Sequence, residues 1–205
     1  MEKRNKGSIF IVSAPSGAGK TTLCKQIIKT IDNIKTSVSF TTRQPRASEV
    51  PDEDYCFVSE EEFRTMIDRG DFVEWALVHG NLYGTSRRQL EELISAGYDV
   101  LLDIDTQGAR QIKKFFTNGV YIFILPPSMK ELKRRLEGRM SNSAEDMNRR
   151  LQRAVDEIDE IKEYKMYDYV IVNDIIETSL KKLEAIIIAE RLKSGRIDPH
   201  WIENI

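Results

Sequence analysis

The eight residues Ala14-Pro15-Ser16-Gly17-Ala18-Gly19-Lys20-Thr21 have the spacing of a phosphate-binding loop, G-x-x-x-x-G-K-[ST], with Ala14 in place of the first glycine. Backbone N–H groups of such a loop converge on a phosphate, and the dipole of the following helix adds to the attraction. Gly17 and Gly19 permit positive φ and close approach, and Ala14 fits where φ stays negative. Lys20 would reach the β- and γ-phosphates of a nucleoside triphosphate, and the Thr21 hydroxyl would hold Mg²⁺. Thr22 extends the set facing the donor nucleotide. Asp103, at the end of an apolar run, suits the acidic position linked to that Mg²⁺ and to the substrates. A second cluster, Ser39-Phe40-Thr41-Thr42-Arg43-Gln44-Pro45-Arg46, sets two arginines around a proline-stiffened turn, a good fork for a phosphate dianion. Residues 130–153 hold eight basic side chains: Lys130, Lys133, Arg134, Arg135, Arg139, Arg149, Arg150 and Arg153.

The elements that must position these groups alternate. Residues 9–13 read as a buried strand and 21–31 as an amphipathic helix with Leu23, Ile27, Ile28 and Ile31 on one side. Further strands are expected at 99–105, with carboxylates at the C-terminal end, at 120–125 and at 169–172. Helices are expected at 87–96, 106–116, 128–137 and 145–164, and Leu180, Leu183 and Ile187 mark a last one. Residues 138–144 read as a loop. This rhythm predicts a P-loop NTPase-type α/β fold, a parallel sheet with helices on both faces. The stretch 37–91 breaks the rhythm. Val38, Phe40, Tyr55, Phe57, Val58 and residues 72–76 suggest short strands, Gly80-Asn81 a turn, and Ser59-Glu60-Glu61-Glu62 a capping box opening a helix to about residue 68. It reads as an inserted α+β subdomain. The expected single domain therefore has a core (1–36, 92–125 and 165–205), an insertion (37–91) and a lid region (126–164).

Composition excludes several classes. The 205 residues suffice for one domain, 40% are hydrophobic, and the net charge of −2 gives no electrostatic footprint for nucleic acid or anionic membrane. No apolar run reaches the length of a membrane span. Basic Lys3, Arg4 and Lys6 precede an apolar stretch too short for a signal-peptide core. Cys24 and Cys56 have neither metal nor disulfide spacing and fit a reducing cytoplasm. His79 and His200 are too few and too far apart for a metal site or a triad.

With these residues in place the chain resembles the guanylate kinases. The resemblance runs from Ser8 to about Arg191 through S-A-P-S-G-A-G-K, T-T-R-Q-P-R, D-Y-C-F-V, F-V-E-W-A, G-N-L-Y-G-T, L-D-I-D-T-Q-G-A, R-R-L-E-G-R and V-I-V-N-D. Ala14 is a familiar variant in that family. The resemblance implies transfer of the γ-phosphate of ATP, with Mg²⁺, to GMP or dGMP, the insertion binding GMP. It implies that Arg43, Arg46, Tyr55 and Tyr83 clamp the GMP phosphate. Glu74 and Asp105 would accept from guanine N1–H and the 2-amino group, with Ser39 and Thr85 as hydroxyl partners of O6. Arg135, Arg139 and Arg150 would bring charge from the lid to the transferring phosphate, beside Lys20 and Arg43, and Asn173 would contact adenine. Family members usually have glycine after the arginine at position 139, where this chain has Met140. The implied partners are the two nucleotides, with no nucleic acid and no membrane, for a free-standing cytoplasmic domain, monomeric or a small homo-oligomer. Two rivals are a kinase for another nucleoside monophosphate and a non-catalytic guanylate-kinase-like interaction module. Glu74, Asp105, Ser39 and Thr85 argue against the first, and the intact Gly19-Lys20-Thr21 against the second.

Overall fold

The structure is a computed structural model that describes residues 6–47, 49–78, 80–137, 144–163 and 166–196, with backbone alone at 144–147 and 160–163. His79, Arg139, Met140 and His200 lie outside the described residues.

Five parallel strands form the central sheet in the order β2-β7-β1-β8-β9: β1 (Ile9–Ser13), β2 (Ile34–Thr36), β7 (Asp99–Asp103), β8 (Val120–Leu125) and β9 (Tyr169–Val172). Because side chains alternate across a strand, each strand supplies both faces. Phe10, Val12, Leu101, Ile122 and Ile124 pack on one face with Leu23 and Ile27 of α1 (Lys20–Thr30) and Leu183 and Ile187 of α7 (Ile176–Arg191). Ile9, Ile11, Val100, Leu102 and Tyr121 pack on the other, with Leu90 of α3 (Arg87–Ser95) and Ala109 and Ile112 of α4 (Thr106–Lys113). The strand β2, which sequence patterning passes over, extends the sheet at one edge.

The run of carboxylates at 99–105 divides differently from its reading as one strand. Strand β7 ends at Asp103, and Asp105 is the N-cap of α4, its side chain accepting from the Gly108 N–H at 2.8 Å. Asp-x-x-Gly is a capping arrangement, and a cap competes directly with strand extension.

A second sheet in the order β4-β3-β6-β5 is formed by β3 (Phe40–Thr41), β4 (Cys56–Phe57), β5 (Phe72–Val78) and β6 (Asn81–Ser86). Helix α2 (Glu60–Arg69) covers it through Phe63, Phe72 and Leu82, capped by Ser59, which accepts from Glu62 N–H. Strand β6 follows directly on Gly80, where sequence reading finds only a turn. Its residues Asn81-Leu82-Tyr83-Gly84-Thr85 mix polar and small side chains because one face of β6 lines a cleft. The sheet docks on the core through Val73, which joins the cluster of α3 and α4, and through Gln111 of α4, whose amide exchanges two hydrogen bonds with the Trp75 backbone (3.1 and 2.8 Å). Helices α5 (Met129–Glu137) and α6 (Ala144–Glu163) pack together through Leu132, Leu136, Leu151 and Ala154.

Candidate active site

The phosphate loop joins β1 to α1. Gly17 and Gly19 have φ of 90° and 95°, values a side chain would oppose, and Gly19 caps α1 with no side chain bonded there. The first-turn N–H groups are thus available to an anion. The loop is backed from two sides. A Cβ at Gly17 would meet Leu136 of α5 at 2.9 Å, and Asn173, after β9, is buried and donates from Nδ2 to the Ala18 carbonyl at 2.7 Å. Asn173 thereby supports the loop, and its Oδ1 is buried and unpartnered.

Lys20 extends from the first turn of α1 to Asp103 at 2.8 Å and also donates to the Ile104 carbonyl. Burial acts to lower its pKa, but pairing with Asp103 outweighs it, so the ammonium is held above its ordinary value. The loop thus carries a fixed cation.

Opposite the loop, Glu74 is 6% exposed. A shift of register between Phe72 and Glu74 lets Phe72 face α2 while Glu74 turns toward the cleft, a bulge re-aiming one side chain. Its cross-strand partner Thr85 donates to Oε1 at 2.6 Å. Burial raises the Glu74 pKa to about 7, with the nearby Asp105 charge adding and the Thr85 bond opposing. Gly108 explains how a helix comes so near this carboxylate, since a Cβ there would lie 2.7 Å from Glu74 Oε2. Sequence reading assigns Gly108 no role, although a glycine in the first turn of a helix, just after Asp103 and Asp105, signals close approach.

Tyr55 and Tyr83 meet edge to face at 6.0 Å. Arg43 lies over Tyr55 and makes a bidentate pair with Glu49 at 2.8 and 3.0 Å. Glu49 is a partner that sequence reading does not find. It also accepts the backbone N–H of the exposed Arg46 at 2.8 Å, so one carboxylate organises the whole arginine turn.

A cleft of about 340 Å³ brings together most of the loop, Thr21, Thr22, Ser39, Tyr55, Glu74, Tyr83, Asp103, Asp105 and Arg150. A neighbouring cavity of about 490 Å³ is lined by Thr21, Ser39, Arg46, Tyr55, Thr85 and Asp103 among others. Arg43, Arg135 and Asn173 line neither. Arg135, on α5, pairs with Glu131 at 2.9 Å and points two longer contacts of 3.5 Å at the carbonyls of Ala18 and Asp174. Arg139 lies outside the described residues. Two α6 residues given no individual role from sequence, Arg153 of the basic cluster and Glu157, also line the cleft.

A phosphate loop with a fixed cation faces a buried carboxylate–hydroxyl pair across one cleft. A family model described as guanylate kinase matches residues 6–190. The chain belongs to the guanylate kinase family. It is 54% identical over 194 residues to a guanylate kinase of Geobacter metallireducens, covering 95% of this chain and 94% of that protein. It is 47% identical to a guanylate kinase of Clostridioides difficile, covering 93% and 92%. The fold also matches the crystal structure of guanylate kinase from Anaplasma phagocytophilum with a TM-score of 0.75 at 37% identity, over 94% of this chain and 90% of that one. The guanylate kinase match therefore spans both the loop and the second sheet.

Proposed function

We propose that this cleft aligns ATP and GMP end to end, the donor on the phosphate loop and the acceptor under the second sheet. The enzyme is a nucleoside monophosphate kinase that transfers the γ-phosphate of ATP to GMP, giving ADP and GDP. One observation supports the division of labour above all: the bulge-aimed, buried Glu74 stands across the cleft from Lys20, bonded to Thr85 and close to Asp105.

Guanine presents N–H donors at N1 and the 2-amino group. The carboxylates of Glu74 and Asp105 accept them, and the Asp105 Oδ2, buried without a hydrogen-bond partner, is an acceptor awaiting a donor. Ser39 carries a hydroxyl for O6, and Thr85 serves it by turning its hydroxyl from Glu74. Adenine has a lone pair at N1, which Glu74 would repel, so AMP is rejected. Tyr55, Tyr83, Arg46 and Arg43 hold the GMP phosphate, Arg43 by exchanging its Glu49 pair for the dianion. The acceptor phosphate is already anionic, so no general base is needed. Residues 14–22 bind the donor phosphates, Asn173 steadies the loop, and Lys20, Arg135, Arg139 and Arg150 stabilise charge on the transferring group.

Thr21 and Asp103 offer hard oxygen donors on the same walls. Among the described residues no group of three or more His, Cys, Asp or Glu could hold a metal. That fits Mg²⁺, which keeps its waters and uses one or two protein oxygens with substrate phosphates. When bound it would neutralise phosphate charge. We assign residues 37–91 to GMP binding and 126–164 to the lid. We take the enzyme to be a monomer or a small homo-oligomer. Among the described residues no helix is long and apolar enough to cross a membrane. The free Cys24 and Cys56 fit the cytoplasm, where we place the enzyme.

The test is Glu74→Gln, assayed as ADP formation with GMP and AMP. An amide turns one acceptor into a donor and leaves a guanine N–H badly paired, a cost of about 1–3 kcal/mol. GMP should lose kcat/KM by roughly tenfold or more, with AMP improving relative to GMP and the KM for ATP unmoved. An unchanged GMP/AMP ratio would remove Glu74 as the guanine reader.

A further inference from the structure

Helix α6 sends one arginine into the base-reading corner. Arg153 Nη2 lies 3.7 Å from Asp105 Oδ2, and its Nε lies 3.3 Å from Glu157 Oε1 one turn along the same helix. Glu157 is 9% exposed and faces the same cleft. Asp105 Oδ1 is already committed to the Gly108 N–H, whereas Oδ2 has no hydrogen-bond partner.

At 3.7 Å the arginine is beyond hydrogen-bonding reach but well within ion-pair range. It therefore offsets the Asp105 charge without occupying the lone pair that a ligand would use. The offset matters because three acids, Glu74, Asp105 and Glu157, converge on this corner, and burial pushes the pKa of both Glu74 and Glu157 up to about 7, with the Asp105 charge contributing at each. Glu157 in turn anchors the arginine at its other edge, so the guanidinium is held rather than left to wander.

We propose that Arg153 is a specificity-determining positioning residue: from α6, braced by Glu157, it holds the Asp105 carboxylate oriented with Oδ2 free for the 2-amino group of guanine. Discrimination for that group is then set partly by a helix of the lid region, and a purine lacking it does not benefit. This inference rests on the reading of Asp105 as a guanine acceptor.

The experiment compares GMP with IMP, which keeps N1–H and O6 but lacks the 2-amino group, at saturating ATP. Arg153→Gln should raise the KM for GMP roughly tenfold, the worth of one charge-assisted hydrogen bond, while the KM for IMP changes less than about twofold. Arg153→Lys should restore most of the GMP/IMP ratio, because a cation returns. Equal losses for GMP and IMP, or no change for either, overturn the proposal. Asp105→Asn separates the two levels. If Asp105→Asn leaves the GMP/IMP ratio intact, the reading of Asp105 fails and takes this inference with it. If Asp105→Asn collapses the ratio and Arg153→Gln does not, the inference alone fails.

Discussion

The donor side of the cleft is made of consecutive backbone, whereas the acceptor side is assembled from side chains far apart in the chain. Residues 14–21, one continuous stretch running into α1, are the proposed donor site, with its N–H groups and single lysine. Ser39, Tyr55, Glu74, Tyr83 and Asp105 come from separate segments, and they meet only because β3, β5, β6 and the start of α4 surround one space. The difference teaches where each half is vulnerable. A backbone site is disrupted by changes in φ or in its fixed cation. A side-chain site is disrupted by changes of shape at a neighbour that never touches the ligand.

The largest effect should come from Lys20→Ala. Losing the cation at the β/γ-phosphates removes on the order of 3–5 kcal/mol of transition-state stabilisation, so single-turnover rates should fall by about two to four orders of magnitude. Circular dichroism should still show a folded protein, and GMP binding by calorimetry should change little. A folded variant with near-normal turnover would dissolve the distinction between the two halves.

A smaller and more selective effect is expected at Gly108. Alanine is the better helix former by about 1 kcal/mol, so Gly108→Ala should leave thermal stability unchanged or raised. Its Cβ would nevertheless stand 2.7 Å from Glu74 Oε2, and the buried carboxylate must move. GMP kcat/KM should drop by roughly tenfold while the KM for ATP holds. Loss of ATP binding in this variant would mean that the corner serves both nucleotides.

The same contrast governs what sequence alone could convey. The loop is legible because its chemistry is written in adjacent residues and framed by a strand and a helix. The parallel core is legible because period-two and period-3.6 patterns persist over whole elements. Strand β2 has only three residues, of which Ile34 alone is buried, so no pattern announces it. Strand β6 is masked by the polar residues it lends to the cleft. Asp105 is a helix cap and not a strand end, because the decisive partner is the Gly108 N–H and not a neighbouring strand. The Glu49 clamp on Arg43, the bulge before Glu74 and the reach of Arg153 are tertiary facts, set by register and packing. For the acceptor residues, family resemblance named the side chains, and only the fold explains why Glu74 turns inward.

The most direct test is the pH dependence of kcat/KM for GMP, which reports groups of the free enzyme. Burial holds the Glu74 pKa at about 7, so the carboxyl is protonated below that pH and ionised above it. Only the ionised form can accept from both guanine donors. Wild type should therefore lose activity as pH falls through about 7, approaching tenfold per unit. Glu74→Gln should lack that limb and keep only a lower one near about 6, from the phosphate of GMP itself. Glu157, also raised to about 7 chiefly by burial, supplies the control: Glu157→Gln should retain the limb. If Glu74→Gln keeps the wild-type profile near pH 7, Glu74 does not read guanine in this cleft.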